Sequence, residues 1–285
     1  MTPRSFEASY EPLSPDPVRN WGRVAVLPWD AEIFGFPVAE YAIDDLEAVR
    51  ASRAEVRQAL KSWARSRRVE LICCSVPGHE ALGFELVPSL GCSLVDFRIC
   101  AMAPRLQAER LPPVRTTLRP AEPGDAAGVE RIAATAFRFG RYHTDAAFPR
   151  ELADLRYRVW IRNVLESPGP GSRVFVLGPK GLVNGFFHVE IRDARLADLR
   201  LGAVDVALES GIAGFSLYAG TLQKLKEEGV EQVTASVSAG NTAVMNLYAA
   251  LGFRFSRPEA VYHWHAPWAS HLVRPHLPNP TDRRK

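Results

Sequence analysis

Tyr248 lies in the run NTAVMNLYAALGF, seven residues after Asn241 and four before Gly252. A tyrosine hydroxyl keeps its proton at neutral pH, so it can donate to a group that departs as an anion. The same ring shares a helical stripe with Val244 and Leu251 and could equally be a core aromatic. Asn241 suits the cap of that helix. A second feature is VALESGIAG, where a strand pattern ends and Glu209, Ser210, Gly211, Ile212, Ala213 and Gly214 lead into a helical one. The free N–H groups and partial positive charge of a helix start suit a pyrophosphate, although a plain strand-to-helix turn reads the same.

Groups able to take a proton are fewer. His188 and Glu190 stand two apart on the strand pattern LVNGFFHVEI and project from one face, and Asp205 is near the end of the next strand. Each could act through water, or be an ordinary strand residue. Arg138, Arg141, Tyr142 and His143 in FRFGRYHTD fall between two helical patterns. Arginines suit a diphosphate and a tyrosine can stack on a base or sugar; a solvated basic loop would look alike. His263 and His265 form an i, i+2 pair with no third ligand evident, so no metal is expected. Cys73 and Cys74 are adjacent in LICCSV, and Cys92 and Cys100 fit no CxxC or zinc spacing, which reads as buried reduced thiols. With no Cys or Ser in an activated setting, no acyl-enzyme is expected. Nucleophile-elbow, Walker and dinucleotide patterns are absent.

The elements that must hold these residues follow from periodicity. VAVLPWDAEIFGFPVAEYAI reads as a hairpin, and a helix follows from about Leu46 to Arg67, with Val49, Val56, Leu60 and Trp63 at helical spacing. Leu71 to Val76 is a buried strand, with more strand pattern in GFELV and SLVDFRICAM. After APRLQAERLPPV, a linker pattern, come strand TTLRPA, a helix that Asp125 could cap, and a helix from Arg150 to Leu165. Strand patterns then cover RVFVLG, LVNGFFHVEI and Leu196 to Val206. A helix from Gly214 to Glu228, a strand through Val233 and Val237, the Asn241 helix and a closing strand in FRFSRPEAVYHWH complete the chain.

RVELICCSVPG matches GVEQVTASVSAG at an offset of 161, whereas ALGFELV from Ala81 matches ALGFRFS from Ala250 at an offset of 169. The growth by eight, about two helical turns, predicts that the first copy has lost most of the helix bearing Asn241 and Tyr248. Composition sets the frame: 285 residues suit about two domains. A chain 47% hydrophobic and 24% charged has enough apolar surface to fold. A net charge of +3 gives no case for nucleic acid as a partner, and no apolar run suggests a membrane span. The first 20 residues lack the apolar core of a secretory leader, so a cytoplasmic protein is expected.

The order strand, glycine-bearing turn, helix, strand and then N-x-A-x-x-x-x-Y-x-x-x-G-F resembles the acetyl-CoA-binding half of the GNAT N-acetyltransferases, over about residues 113 to 265. LPWDAEIFGFPVAEY and GRYHTDAAFPRELADLRYRVWIRNVL are similar to segments of the dTDP-fucosamine acetyltransferases, which also carry a partial domain before the GNAT domain. The resemblance implies an α/β (α+β) fold of mixed sheet flanked by helices, with a degenerate GNAT-like half at 20–103, the GNAT half at 113–265, and loose tails at 1–19 and 266–285. It implies acetyl-CoA as acyl donor, held by Val204, Val206, Glu209, Ser210, Gly211, Ile212, Ala213, Gly214, Asn241 and Tyr248. Tyr248 would protonate the departing thiolate, and Arg138, Arg141, Tyr142 and His143 would bind a small amine acceptor, a nucleotide-linked amino sugar by preference. The family's turn is Q/R-x-x-G-x-G/A; aligned without gaps, Glu209 replaces the basic or amide residue, where a carboxylate repels a diphosphate, and Ile212 replaces the middle glycine, whereas a shift by one recovers Gly211 and Ala213 but puts Leu208 first. Another small amine, a protein amine, or a non-catalytic binding module are the alternatives. A homodimer is an assembly the sequence leaves open.

Overall fold

LICCSVP forms a strand, Leu71–Pro77, because its β-branched and thiol side chains can be buried on both faces. It sits within one mixed sheet. The computed structural model describes residues 8–14, 16, 18–103, 105–106, 117–208 and 211–272. Its strands are β1 (Glu11–Pro12), β2 (Arg23–Val26), β3 (Val38–Ala42), β4 (Leu71–Pro77), β5 (Ser93–Ala103), β6 (Leu118–Pro120), β7 (Ser172–Leu177), β8 (Gly185–Ile191), β9 (Leu196–Val204), β10 (Gln232–Ser238), β11 (Arg254–Phe255) and β12 (Glu259–His265). The helices are α1 (Pro28–Phe34), α2 (Leu46–Ala51), α3 (Arg53–Ser66), α4 (Ala81–Ser89), α5 (Ala126–Ala136), α6 (Arg141–Thr144), α7 (Arg150–Glu166), α8 (Gly211–Glu227) and α9 (Thr242–Ala250).

The strand order is β1-β2-β3-β4-β12-β5-β10-β9-β8-β7-β6, with β11 added to β5. β3–β4 and β9–β10 are parallel, and the other pairs antiparallel. The centre of the sheet is an exchange. β12, at the end of the second half, lies between β4 and β5 of the first. β5, at the end of the first half, pairs in turn with β10 of the second. Such crossed pairing makes one continuous sheet from two similar halves.

Four expectations need correction. β2 and β3 do pair antiparallel, but α1 rather than a turn joins them, with Pro28 supplying the preset φ of a first helical turn. The helix from Leu46 is broken at Ser52 into α2 and α3, where Asp45 caps the first by accepting from the N–H groups of Glu47 and Ala48. GFELV is not a strand but part of α4, and α4 is nine residues long, as is α9. Ala81 and Thr242 are 161 apart, so the two helices match at the offset of the strands before them. The helix is therefore present in both copies, and the second ALGF match is out of register. In the first copy Val87, fully buried, occupies the place of Tyr248.

Four apolar clusters hold the halves. Val56, Leu60 and Ala64 of α3 pack on Ile72, Cys74 and Trp264 on one face of the first half. Leu217, Leu222 and Tyr248 pack on Phe187, Val189 and Val233 in the second. On the opposite face of the second half, Val129, Ile132 and Ile161 cover Val176, Phe186 and Leu201. Phe34, Phe36, Cys73, Tyr142 and Phe148 join α1 and β4 to the α6–α7 segment. Residues 266–272 also pack: Ala266 is buried, Trp268 meets Trp264 edge-on at 6.0 Å, and the Ser270 N–H donates to Glu70.

Candidate active site

β9 and β10 part company midway. Their parallel pairing runs from Gln232–Leu196 to Ala235–Leu199 and stops, although β9 continues to Val204 and β10 to Ser238. At the same level β9 bulges. Val189 pairs with Leu199 but His188 with Leu201, leaving Arg200 as the extra residue. The bulge turns the strand over: Ala197 and Leu199 belong to the α8–α9 core, whereas Leu201 and Ala203 face α5 and α7. The result is a gap between two strand ends whose backbone groups are not spent on each other.

The helices that follow these strands flank the gap. Val204 ends β9, Val206 opens the short 3₁₀ turn Val206–Leu208, and Gly211 to Gly214 start α8. Glu209 and Ser210 lie outside the described residues. Ile212 is 79% exposed, and a Cβ on Gly214 would lie 3.9 Å from Leu247 of α9, so the two helix starts are neighbours. Asn241 caps α9, its Oδ1 accepting from the Val244 N–H at 3.2 Å. Tyr248, 4% exposed, meets Tyr218 edge-on at 5.5 Å and Phe253 at 4.6 Å. Burial, and then Tyr218, push its hydroxyl well above the usual tyrosine value, so it stays protonated. Its hydroxyl donates to none of the described residues. The core reading of this ring therefore holds for its carbons, while its proton is unspent.

On the opposite face of the sheet, between two aromatic clusters, the middle strands present polar side chains: His188 and Asp198, then Thr234 and Ser238, then Asp96, then His263 and Cys73. Alternation puts them there, since Val189, Val233, Val237 and Ile72 belong to the other face. Trp29, Tyr157 and Trp160 wall this trough; Trp29 and Trp160 meet edge-on at 5.6 Å, and Arg200 lies 5.4 Å over Trp160.

The three expected proton acceptors differ. His188 is 3% exposed, with Nε2 2.9 Å from Ser172 Oγ and Nδ1 buried without a partner. Burial and the Arg200 charge push it down to about 4, so it is neutral at pH 7. Glu190, half-buried, lies 3.6 Å from the same Nε2. Asp205 accepts from the Ala207 N–H and pairs with Arg131 at 2.7 Å, and these contacts hold it below the usual carboxylate range.

The residues read as an acceptor loop turn inward. Arg138 precedes α6, while Arg141 donates to Asp30 at 3.0 Å and Tyr142 donates to the same oxygen at 2.6 Å. Arg156 donates to the other Asp30 oxygen at 2.7 Å. Burial alone would raise the Asp30 carboxyl, but Arg156, Arg141 and the Tyr142 hydroxyl outweigh it and keep it ionised. His143 is enclosed and bonds Asp154 at 2.8 Å.

Sequence spacing missed a second cluster. Asp145 Oδ2 accepts from His263 Nδ1 at 2.6 Å and His265 Nε2 at 2.8 Å; His265 Nδ1 meets His271 Nε2 at 2.8 Å, and His271 reaches Glu70 at 3.2 Å. Asp145 is the third group that the His263–His265 pair lacked, and the three ligand atoms lie within 4.8 Å of one another. In this arrangement one carboxylate oxygen is already shared by two N–H donors. Cys73 faces His263 across β4 and β12. Burial raises its thiol, but Arg141 and His263 overcome this and draw it down, which corrects the expectation that no cysteine has an activating neighbour. It stands away from the parting of β9 and β10, because β12, β5 and β10 lie between β4 and β9 in the sheet. Only the His263–His265 spacing hinted at this cluster, because Asp145, which joins the two rings, lies more than a hundred residues away in the chain.

No protein-family model matches the chain. The spore coat polysaccharide biosynthesis protein SpsD of Bacillus subtilis (strain 168) is 29% identical over 146 residues, 51% of this chain; the chain thus spans about half (50%) of the curated relative it matches. A GCN5-related N-acetyltransferase from Sphaerobacter thermophilus superposes with a TM-score of 0.60 at 16% identity, covering 86% of this chain and 77% of that one. One from Kribbella flavida gives 0.56 at 13%, covering 92% and 90%. A tandem GNAT protein from the clavulanic acid biosynthesis pathway gives 0.52 at 17%, covering 86% and 79%. The chain has the fold of the GCN5-related N-acetyltransferases, as its sequence led us to expect.

Proposed function

We propose that the chain is an N-acetyltransferase that moves an acetyl group from acetyl-CoA to a primary amine by direct attack. The observation that carries this reading is the gap between β9 and β10, flanked by the starts of α8 and α9 and by the unspent proton of Tyr248. Gly211 to Gly214 would meet the pyrophosphate with their N–H groups. The free backbone of β9 up to Val204 would hold the pantetheine arm by strand-like hydrogen bonds. Tyr248 would donate a proton to the sulfur as the C–S bond breaks. The amine would enter from the polar trough on the other face.

For the acceptor, we infer a nucleotide-linked amino sugar. Trp29 and Trp160 offer aromatic surface for a base or sugar, while Tyr157 is already stacked on Phe137 at 4.3 Å and on His143 at 5.5 Å; Arg200 beside Trp160 offers charge for a diphosphate. The 29% identical relative SpsD, a spore coat polysaccharide biosynthesis protein, supports the same class. The test is incubation of the chain with acetyl-CoA and dTDP-4-amino-4,6-dideoxygalactose, scored by CoA release and a product heavier by one acetyl group. Release only at the rate of the sugar-free control would refute this acceptor.

Ile212, exposed where the family's turn has glycine, favours one second reading: a non-catalytic module that binds acyl-CoA or has lost it. Binding of acetyl-CoA without turnover of any amine would support that reading instead.

A further inference from the structure

Asp96 comes from the first half of the chain yet stands at the site of the second. β10 pairs with β5 as far as Ser238–Arg98, and the Ala239 N–H then donates to the Phe97 carbonyl at 2.7 Å. Asp96 follows, level with the turn that leads into α9. Ser238 Oγ donates to Asp96 Oδ1 at 2.6 Å and accepts from the Gly240 N–H at 3.3 Å. Ser238 is the last residue of β10, in the stretch that has no β9 partner, so its edge borders the gap. The carboxyl is half-buried and points to the trough face.

We infer that Asp96 receives the acceptor's ammonium group and takes its proton before attack, so that the strand exchange supplies a catalytic residue in trans between the two halves. This rests on the acetyltransferase reading above. The step balances as follows. The ammonium passes one proton to the Asp96 carboxylate; the freed lone pair forms the C–N bond; the C–S bond breaks; and the thiolate takes a proton from Tyr248, which recovers one as the new amide nitrogen loses its own. Asp96 then returns its proton to solvent.

Alternative bases are less suited. His188 is neutral but weakly basic, Asp205 is committed to Arg131, and Asp30 to two arginines. The charged and titratable groups facing Asp96 are Arg98 on its own strand, paired with Glu259; His263 on β12, which bonds Asp145; and Tyr157 on α7. Burial raises its carboxyl and outweighs the help of Ser238, Phe97 and Arg98, which makes it a better proton acceptor than an exposed aspartate.

The experiment compares wild type, Asp96→Asn and Ser238→Ala with acetyl-CoA and dTDP-4-amino-4,6-dideoxygalactose across pH. Asp96→Asn should lower kcat/KM by about 100-fold, the lower end for a lost proton-transfer group. It should erase the acidic limb of the profile and leave acetyl-CoA affinity within about twofold, since only the acceptor side is touched. Ser238→Ala should keep the limb. Activity of Asp96→Asn within threefold of wild type, or loss of the limb in Ser238→Ala as well, would overturn the inference, the latter because Asp96 would then serve only to hold the turn. Should wild type leave this sugar unacetylated, the acceptor assignment fails on its own. The acetyl-CoA complex with ¹³C-labelled aspartate is then titrated with methylammonium chloride. The Asp96 carboxyl signal, assigned by its absence in Asp96→Asn, should move saturably; an unmoved signal would overturn the inference.

Discussion

Arg98 and Glu259 pair across β5 and β12, and they are 161 residues apart, the offset that also relates Val69 to Val230 and Ala81 to Thr242. Equivalent positions of the two halves thus face each other, which places a pseudo-two-fold axis at this pair. The same operation carries the Pro77–Glu259 pairing onto Ser238–Arg98. Each half gives up its last strand to the other. The ion pair itself is 43% and 48% exposed, so Arg98→Ala should cost under about 1 kcal/mol. The exchanged strands matter far more than the charge.

Neither half can complete its sheet alone, so the two should unfold together. Circular dichroism and tryptophan fluorescence should report one coincident transition. A chain ended after Pro258 should lose the order of the first half as well, since β4 and β5 would be left as bare edges. Two separate transitions, or a folded first half in the truncated chain, would count against the exchange.

Asp145 and His263 give stability a dependence on pH of both signs. Burial opposes the Asp145 charge, but the His263 and His265 bonds hold its folded value below the unfolded one. Its contribution is present above about pH 4 and lost as pH falls through the folded value. His263 is shifted the other way. Burial lowers it, but Cys73 and the Asp145 bond carry it above the usual imidazole value. That contribution is present below about pH 6.5 and lost as pH rises through the folded value. Stability from this pair should therefore be greatest between about pH 4 and 6.5. Asp145→Asn should flatten both arms and cost about 3 kcal/mol in urea titrations near pH 6, as when one partner of a buried pair is removed. Unchanged arms would refute the coupling.

The fold was largely legible where periodicity is strong. β4, the helical stretch ending in α3, α5, and everything from α7 to α9 show a clean period of two or of 3.6. The failures have local causes. α4 contains Gly83 and Pro88, which read as breakers; yet a Cβ on Gly83 would come within 2.9 Å of Val76 Cγ2, so glycine is what lets this helix lie close on β4. α1 is short and hides in an apolar alternation. Of the candidate site, spacing reached only the helix-borne part, Asn241 and Tyr248. Asp30, Asp96 and Asp145 act through partners 111, 142 and 118 residues distant, and no spacing rule reaches so far.

Tyr248 should matter for turnover and little for folding. Tyr248→Phe keeps the ring contacts with Tyr218 and Phe253 and removes only the hydroxyl. With an amine that the wild type acetylates, kcat should fall by about 100-fold while the acetyl-CoA dissociation constant and the thermal midpoint hold. An equal fall in affinity would make the hydroxyl a binding group rather than a proton donor.

His188 should not set the pH profile. Because burial and Arg200 keep it neutral down to about pH 4, His188→Asn should leave the acidic limb of kcat/KM where it is, at whatever overall rate. A limb displaced by the substitution would make His188, not Asp96, the proton acceptor.

The account stands first on acyl-CoA entering the gap between β9 and β10. Isothermal titration of the full chain with acetyl-CoA measures this without knowledge of the acceptor. Saturable binding at one site per chain, weakened by Gly214→Trp at the start of α8, is the expected result. No binding at millimolar acetyl-CoA would contradict it, and would leave the fold without the chemistry proposed for it.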